Sequence, residues 1–404
     1  MKPIQRLFCR TVQLGFRAAL PILPYHQPKL LTHLGDIPPL LAHKGISSVL
    51  LVADGTVRDL GLTAPLEQAL AENGIACAVY EQRRPNPTID NVEAAREVYL
   101  RAQAGAIIAV GGGSTIDCAK VVGARIARPR KSVQKMRGLL RVTWPTPLLI
   151  AAPTTAGTGS ETTLAAVITD ERAKHKYPIN DFALIPDVAV LDAKLTLGLP
   201  PFVTATTGLD ALTHAVEAFI GRSTNALTRR MAEEAVATIA RCLRRAVENG
   251  QDLDARQGML RAAYCAGIAF TLSYVGYVHG IAHSLGGQYG IAHGLDNAVI
   301  LPHVLRRYGP ACEKKLAHLA RVASLADAHT PDAQAAEVFI RWIEDMNRDF
   351  GLPATFPQIV REDIPRMARH AAQESNPLYP VPKLMNAHEL ETMYHRLMPK
   401  EENA

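Results

Sequence analysis

Short, wholly apolar segments alternate with helical stretches in the first half of the chain, and this alternation stops at about residue 199. Such segments predict buried strands of a parallel sheet, because a strand covered on both faces is apolar throughout. The predicted strands are Ser48–Ala53, Ala76–Tyr80, Ala106–Val110, Leu148–Ala152 and Val188–Leu191. Helical stretches such as Leu66–Asn73 and Val92–Gln103 lie between several of them, which predicts repeated βαβ units.

Beyond residue 199 only helical patterns remain. The clearest are Ala211–Ile220, Arg229–Glu248 and Ala335–Phe350, in which apolar residues recur at a spacing of three and four. We therefore predict an α/β domain with a parallel sheet over residues 31–198 and an all-helical domain over residues 199–404. Residues 1–30 are predicted to form an N-terminal extension.

The composition excludes several classes of protein. A chain of 404 residues is long enough for two domains, and no apolar run reaches the roughly 18 residues that a membrane span requires. The net charge of +6 is spread along the chain without a long Lys/Arg block, which argues against binding of nucleic acid. The six cysteines form no C-x-x-C pair, a pattern typical of reduced thiols in a cytoplasmic protein.

A glycine-rich turn, with Gly112, Gly113 and Ser114, follows the third predicted strand directly and precedes a predicted helix. This arrangement places backbone N–H groups and the positive end of a helix dipole around a phosphate. The turn lacks the G-x-G-x-x-G pattern, so a tight βα turn without a ligand is an equally good interpretation of this motif alone.

Two further loops favour the interpretation that this part of the chain binds a nucleotide. Asp54 ends the first predicted strand, and a loop rich in glycine and hydroxyl groups follows the fourth. The hydroxyl-bearing candidates in that loop are Thr154, Thr155 and Thr158. An acid at the end of such a strand bonds ribose hydroxyls and repels a 2′-phosphate, which predicts a preference for NAD over NADP. The α/β domain is thus predicted to bind a dinucleotide.

An acid and several histidines in the helical half have the spacing of metal ligands. Asp210 and His214 are four residues apart, and so are His279 and His283, while His293 follows a glycine-rich stretch. Residues four apart on a helix share one face and can share an ion. Any one of these histidines alone is more simply a core residue, but Asp210, His214, His279 and His293 together predict a metal site. Such a ligand set suits Fe²⁺ or Zn²⁺ and disfavours Ca²⁺ or Mg²⁺.

Taken together, these motifs resemble those of the iron-containing (group III) alcohol dehydrogenases. The matching segments, in chain order, are Gly111–Lys120, Pro153–Glu161, Thr207–Glu217 and Val278–Gly287. The resemblance implies that the α/β domain binds NAD(P) and that the helical domain holds the metal, iron more readily than zinc. It implies reversible hydride transfer between an alcohol and its aldehyde or ketone, in a homo-oligomer that is a dimer or larger.

The resemblance also assigns individual residues. It places the metal ligands on Asp210, His214, His279 and His293, and cofactor contacts on Asn86 and Lys176. His283, one turn from His279, is a candidate to shuttle the alcohol proton, and the alternative is that it only orients a metal ligand. Tyr274 and Tyr277 replace the small and Asn residues commoner in the family, and would narrow the substrate pocket if they line it.

Two other enzyme classes share this architecture. Glycerol dehydrogenases use zinc with fewer protein ligands, and the dehydroquinate synthase group pairs NAD with a metal for an elimination and cyclisation. The latter needs several basic residues to hold a phosphorylated, carboxylated substrate, whereas the predicted metal site here is rich in Ala, Gly and Tyr. A catalytically silent assembly protein is disfavoured because every expected ligand is present.

The first 22 residues are predicted to form an amphipathic helix outside the catalytic fold, ended by Pro21 and Pro24. At 100° per residue, one side carries Lys2, Arg6, Arg10, Gln13 and Arg17, and the other carries Ile4, Leu7, Phe8, Val12, Leu14, Ala18 and Ala19. The arginines argue against a secretory signal, and a mitochondrial presequence fits the Arg-rich, acid-free character but is disfavoured by the absence of Ser. Two interpretations stay open: peripheral contact with an anionic membrane, or packing of the apolar side on the enzyme or a second subunit.

Overall fold

The computed structural model describes residues 1–83, 86–172 and 175–399 and divides the chain into two compact units. One unit is Pro24–Leu199, and the other combines Met1–Leu23 with Pro200–Ala404. Residues 1–30 therefore do not stand apart as a separate extension. The first helix belongs to the helical unit because it packs there, and the segment from Pro24 belongs to the α/β unit because it contributes a strand.

The α/β unit is built on two sheets. Its strands are β1 (Lys29–Leu31), β2 (Ser48–Asp54), β3 (Ala76–Gln82), β4 (Ala106–Gly111), β5 (Gly138–Leu139), β6 (Leu148–Pro153), β7 (Ala165–Asp170), β8 (His175–Asn180) and β9 (Val188–Val190). Six strands form a wholly parallel sheet in the order β1-β9-β6-β4-β2-β3, which confirms the predicted class. A smaller sheet has the order β5-β8-β7, with β7 antiparallel to β8.

Helices account for most of the remaining regular structure. Their bounds are α1 (Pro3–Ala19), α2 (Ile37–His43), α3 (Gly55–Asp59), α4 (Ala64–Glu72), α5 (Ile89–Arg101), α6 (Gly113–Ala127), α7 (Val133–Met136), α8 (Pro201–Ile220), α9 (Ala226–Glu248), α10 (Leu253–Ser273), α11 (Tyr277–Tyr289), α12 (His293–Tyr308), α13 (Glu313–Val322), α14 (Asp332–Asp349), α15 (Ile364–Ser375) and α16 (Ala387–Leu397).

The parallel sheet is covered on both faces, which explains the apolar runs of its strands. In β2, Val49 and Leu51 pack in one cluster with residues of α2 and α4, while Leu50 and Val52 pack in another with residues of α5 and α6. Successive side chains of a strand point to opposite faces, so each strand supplies both layers. The loops at the carboxyl ends of β2, β4 and β6 thereby meet at one edge of a rigid sheet.

Helix α8 is the central element of the helical unit. It is buried along almost its whole length, because α9, α10 and α12 pack around it, and a helix that is apolar all round is expected to be buried. The absence of a side chain at Gly208 lets Leu243 of α9 lie against the backbone of α8. Asp210 and His214, two and six residues further along, are therefore held inside the core.

Helix α1 packs on the helical unit through a polar face. Gln13 is only 4% exposed, and its side-chain amide donates to the carbonyl oxygens of Pro377 (3.1 Å) and Tyr379 (2.7 Å). Arg10 donates to the carbonyl oxygens of Val381 (2.8 Å) and Pro382 (3.0 Å). The interpretation in which the apolar side packs on the enzyme's own surface is therefore wrong, because hydrogen bonds to backbone carbonyls hold the opposite side.

The apolar side of α1 faces solvent. Its most exposed members, which we call the apolar stripe, are Ile4 (75%), Leu7 (68%), Phe8 (61%) and Leu14 (65%). Among the described residues, no single helix has the length and apolarity to cross a membrane, and only the sharply bent pair α10–α11 would satisfy those two criteria jointly.

Candidate metal centre and cofactor loops

Three helices bring the four predicted metal ligands together. Asp210 and His214 lie on α8, His279 lies in the first turn of α11, and His293 is the first residue of α12. One ligand atom from each lies within 4.8 Å of the others. The first three are buried, at 2–4% exposure, whereas the side chain of His293 is 41% exposed. The cluster thus has a closed inner side and a more open side at His293.

The side-chain amide of Asn297 lies among these ligand atoms. Its Nδ2 is 2.6 Å from Asp210 Oδ1, 3.2 Å from His279 Nε2 and 3.1 Å from His293 Nε2. Three acceptor atoms therefore converge on one small volume, and the fully buried Asn297 places its N–H donors there. This convergence of acceptors is the arrangement that a cation requires.

Glu217, one turn beyond His214 on α8, orients His279. Its Oε2 lies 2.7 Å from His279 Nδ1, and its carboxylate also accepts from the backbone N–H groups of Gly276 (2.8 Å) and Val278 (2.9 Å). Burial raises the pKa of Glu217 to about 7. A carboxylate on one ring nitrogen fixes the tautomer and leaves the other nitrogen, here Nε2, as the ligand atom.

The donor set fits a divalent metal. Burial and the neighbouring histidines hold the pKa of His279 well below its ordinary value, which favours the neutral form of its imidazole. Neutral imidazole is the form that binds metals, and one carboxylate with three imidazoles matches Fe²⁺ or Zn²⁺. Asp210, His214, His279 and His293 are therefore the residues that would hold the ion.

His283 lies beside this cluster. Its ring stacks on that of His293, with centroids 5.3 Å apart, and its Nδ1 is 2.6 Å from Glu374 Oε1. The same carboxylate oxygen accepts from the hydroxyl of Tyr379 at 2.7 Å. Although burial opposes ionisation, His283 and these hydrogen bonds hold the pKa of Glu374 below its ordinary value. The hydrogen-bonded chain His283–Glu374–Tyr379 leads away from the cluster.

The predicted phosphate loop joins β4 to α6. Gly112 is the residue that precedes α6, so the free N–H groups of the first helical turn lie at Gly113 and Ser114. The loop after β6 approaches closely: a Cβ on Gly113 would come within 2.9 Å of the Thr158 side chain, and one on Gly112 within 3.6 Å of Thr155. The backbone N–H of Thr154 donates to Gly111 at 3.0 Å. The structure thus brings both predicted loops together.

Asp54 lies at the same edge of the sheet, at the end of β2. Strands β2 and β4 are neighbours, and the chain continues from β2 towards β3 on one side and from β4 towards β6 on the other. Such a reversal of strand order is where open α/β sheets bind nucleotides. Asp54 also has a structural role, because its Oδ1 accepts from the N–H of Thr56 (2.8 Å) and Val57 (3.4 Å) and so caps α3.

Asn86 and Lys176, distant in sequence, are in contact. Lys176 Nζ on β8 donates to Asn86 Oδ1 at 2.8 Å. Burial lowers the pKa of Lys176, while the negative charge of Asp117 on α6 opposes that effect. The two predicted cofactor contacts are therefore brought together.

Sequence reasoning assigned no role to Glu217 or Asn297. Both follow a metal ligand at a helical spacing, three residues after His214 and four after His293, which is a signal that could have found them. Tyr277 does not line a pocket, because it is fully buried and its hydroxyl bonds Asn376 and Met385. Tyr274 adopts a positive φ of 63° at the end of α10, and its ring contacts Phe16 of α1 with centroids 4.9 Å apart.

Comparisons with known proteins agree with this geometry. Residues 31–193 match the iron-containing alcohol dehydrogenase family, and residues 204–398 match the C-terminal domain of the Fe-containing alcohol dehydrogenase family. The chain is 36% identical to the 1,3-propanediol dehydrogenase of Klebsiella pneumoniae, over 94% of this chain and 98% of that one. It is 35% identical to the NAD-dependent methanol dehydrogenase of Bacillus methanolicus, over 82% and 89% respectively.

A solved structure is similar over nearly the same extent. The crystal structure of a 1,3-propanediol oxidoreductase matches with a TM-score of 0.88 and 34% identity, and the match covers 93% of this chain and all of that one. These matches favour an iron-containing alcohol dehydrogenase over the two alternatives, a zinc enzyme like glycerol dehydrogenase and a lyase like dehydroquinate synthase. The chain belongs to the iron-containing alcohol dehydrogenase family.

Proposed function

We propose that this enzyme transfers a hydride reversibly between a small alcohol and NAD, with Asp210, His214, His279 and His293 holding one divalent metal, iron in preference to zinc. The observation that carries the proposal is the convergence of these four ligand atoms within 4.8 Å. The names of the relatives, which include a methanol dehydrogenase and a 1,3-propanediol dehydrogenase, support a short-chain alcohol or its aldehyde as substrate.

The experiment that tests this function measures NADH formation with a panel of alcohols and NADH consumption with the matching aldehydes. We expect turnover with several small alcohols after loading with Fe²⁺ and its loss after chelation. Absence of turnover with every alcohol and aldehyde in metal-loaded protein would contradict the proposal.

A bound metal would supply Lewis acidity that lowers the pKa of the alcohol, and NAD would accept the hydride. The chain's own residues arrange the rest of the reaction. Glu217 keeps His279 Nε2 turned towards the ligand cluster. For the cofactor, Gly112, Gly113 and Ser114 would bind a phosphate through backbone N–H groups, and Thr154, Thr155 and Thr158 would add hydroxyl donors. Asn86 and Lys176 would contact the cofactor nearby.

We infer that His283 moves the alcohol proton. Its Nδ1 is engaged by Glu374, so Nε2 is the atom that would exchange a proton with the substrate. The side chain is 43% exposed, which gives that proton a route to solvent. A group that transfers the reacting proton typically contributes a factor of about 100 to 10,000 in rate.

Replacement of His283 by Gln tests this role. We expect kcat/KM to fall by about 100-fold or more, with unchanged metal content and a flattened pH profile, because the amide cannot shuttle protons. A loss of metal that parallels the loss of activity would instead assign His283 to orienting a ligand.

Asp54 is proposed to set the preference for NAD. In the variant Asp54→Ser, the hydroxyl can still cap α3, but the negative charge is lost. We expect the kcat/KM ratio of NAD over NADP to fall by about tenfold, because removing the carboxylate relieves its repulsion of the 2′-phosphate of NADP. Asp59→Ser, an exposed acid of the same helix, is the matched control and should leave the ratio unchanged. An unchanged ratio in Asp54→Ser would remove Asp54 from cofactor recognition.

The assembly state and location are also proposed from the family and the composition. We infer a homo-oligomer, a dimer or larger, that works in the cytoplasm. Light scattering coupled to size-exclusion chromatography would measure the mass directly, and a monomer would contradict the first inference.

A further inference from the structure

Helix α1 is attached to the enzyme with its apolar side outwards. Cys9 and Gln13 face the protein and are buried, and Arg10 and Gln13 are bonded to the carbonyl oxygens of the segment 377–382. The apolar stripe of Ile4, Leu7, Phe8 and Leu14 lies on the opposite side of the helix and is 61–75% exposed. Side chains of this size are rarely exposed as a contiguous group unless they contact something else.

Basic groups border this stripe. Lys2, Arg6 and Arg17 are exposed on the polar side of α1, and at 100° per residue Arg6 and Arg17 lie about 20° and 40° from the docked Gln13 in the direction of Leu14, between the docked face and the stripe. Arg17 donates to the backbone carbonyl oxygen of Arg222 at 3.5 Å, and Arg222 is itself exposed. Residues 1–35 contain no acid. Anionic groups are therefore the chemistry that complements the border of the stripe.

We propose that the apolar stripe and its basic border attach the enzyme to the surface of an anionic phospholipid membrane. In this orientation α1 lies parallel to the surface, the stripe enters the interface, and the arginines meet the lipid phosphates. The helix is already folded and fixed to the enzyme, so binding does not have to order it, which favours association. The proposal is independent of the dehydrogenase reaction.

A second copy of the chain fits the stripe less well. From Ile4 to Leu14 the stripe is only about 15 Å long, at 1.5 Å per residue, so it offers far less than the roughly 800 Å² that each partner buries in a stable dimer. Two copies meeting at this surface would also bring Arg6 and Arg17 of both chains together without an acid of α1 to pair with them. A membrane has neither disadvantage.

The stripe also lies outside the residues that match the general pattern of the family. The family match begins at residue 31, whereas α1 ends at Ala19. The catalytic function therefore gives no reason for this helix to expose four large apolar residues.

Vesicle binding of the full chain tests the proposal with matched variants. Leu7→Gln/Leu14→Gln removes two members of the stripe and leaves Arg10 and Gln13 in place. Leu60→Gln/Leu253→Gln makes the same chemical change at two leucines exposed outside α1, at 61% and 46%. Arg6→Gln/Arg17→Gln removes charge from the border. Each protein is sedimented with phosphatidylcholine vesicles that contain phosphatidylglycerol, and with vesicles of phosphatidylcholine alone.

We expect wild type and the Leu60/Leu253 variant to bind the anionic vesicles equally, and more strongly than the neutral ones. The stripe variant should lose at least tenfold in partition coefficient, and the arginine variant should lose its preference for anionic lipid. Dehydrogenase activity in solution should be the same in all four proteins, so a failure here is distinct from a failure of the proposed reaction.

Three results would overturn the proposal. The first is wild-type protein that stays in the supernatant, and the second is a stripe variant that binds vesicles as strongly as wild type does. The third is a stripe variant whose oligomer is smaller than that of wild type while neither protein binds vesicles, which would assign the stripe to a second copy of the chain.

Discussion

The variant His279→Ala is expected to lose its bound metal and to fall at least 100-fold in kcat/KM. Replacement of residues that merely orient a ligand typically costs 10- to 100-fold in metal affinity or activity, so loss of a ligand itself should cost more. Glu217 holds Nδ1 of His279, so that Nε2 faces the other ligand atoms of the cluster. Replacement by Ala therefore removes one of the four ligands. Metal content by elemental analysis and steady-state kinetics are the two measurements.

His318→Ala is the matched control for this variant. His318 also bonds a glutamate, with Nε2 2.7 Å from Glu233, but it lies on α13 and is half exposed. We expect its metal content and kcat/KM to equal those of wild type. Undiminished metal in His279→Ala would refute the ligand assignment, and reduced metal in both variants would indicate a general loss of structure.

The second large effect concerns stability of the α/β unit. Lys120 on α6 is 1% exposed, and its Nζ donates to the carbonyl oxygens of Thr163 and Ala165, both at 2.8 Å, and to the hydroxyl of Thr163 at 2.9 Å. The variant Lys120→Met keeps the length of the side chain but leaves these buried acceptors, and the carboxylate of Asp117, without the ammonium group. We expect the free energy of unfolding to fall by about 3–5 kcal/mol, as when one partner of a buried charged group is removed.

Denaturant titration of wild type, Lys120→Met and Lys135→Met measures this effect. Lys135 is exposed in the same unit, so its replacement should change the free energy of unfolding by no more than about 0.5 kcal/mol. Equal midpoints for Lys120→Met and wild type would mean that the buried ammonium contributes nothing net to the fold.

The parallel sheet was predictable because burial on both faces leaves a strong mark on the sequence. Each of the five predicted strands is present, within two residues at either end. Strand β1 was not predicted, because three residues are too few for a periodic signal and its pairing with β9 joins distant parts of the chain. The β7–β8 pair was missed as well, since partly exposed strands such as β7 carry no continuous apolar run.

The metal cluster was predictable from spacing, but its surroundings were not. A separation of four residues places Asp210 and His214 on one face of a helix whatever the rest of the fold does. The bond between Glu217 and His279 depends on the packing of α8 against α11, and the position of Asn297 depends on α12 as well. Such contacts depend on how the helices pack in the folded protein, and the spacing of residues within one helix does not reveal that packing.

The direction in which α1 docks could not be predicted from its amphipathic pattern. The pattern divides the helix into a polar and an apolar side, and the usual burial of apolar residues predicts that the apolar side docks on the protein. The structure docks the polar side instead. The decisive partners are carbonyl oxygens of the segment 377–382, whose availability depends on how that segment leaves α15.

These attachments of α1 have an evolutionary consequence. Arg10 and Gln13 bind main-chain oxygens, which every residue type possesses, so the side chains of residues 377–382 can drift without detaching the helix. Arg10 and Gln13 themselves have no such freedom, because few side chains donate two hydrogen bonds at that reach. Among homologues that carry this helix, substitutions should therefore accumulate unequally, with two nearly fixed positions on the helix and a variable segment beneath it.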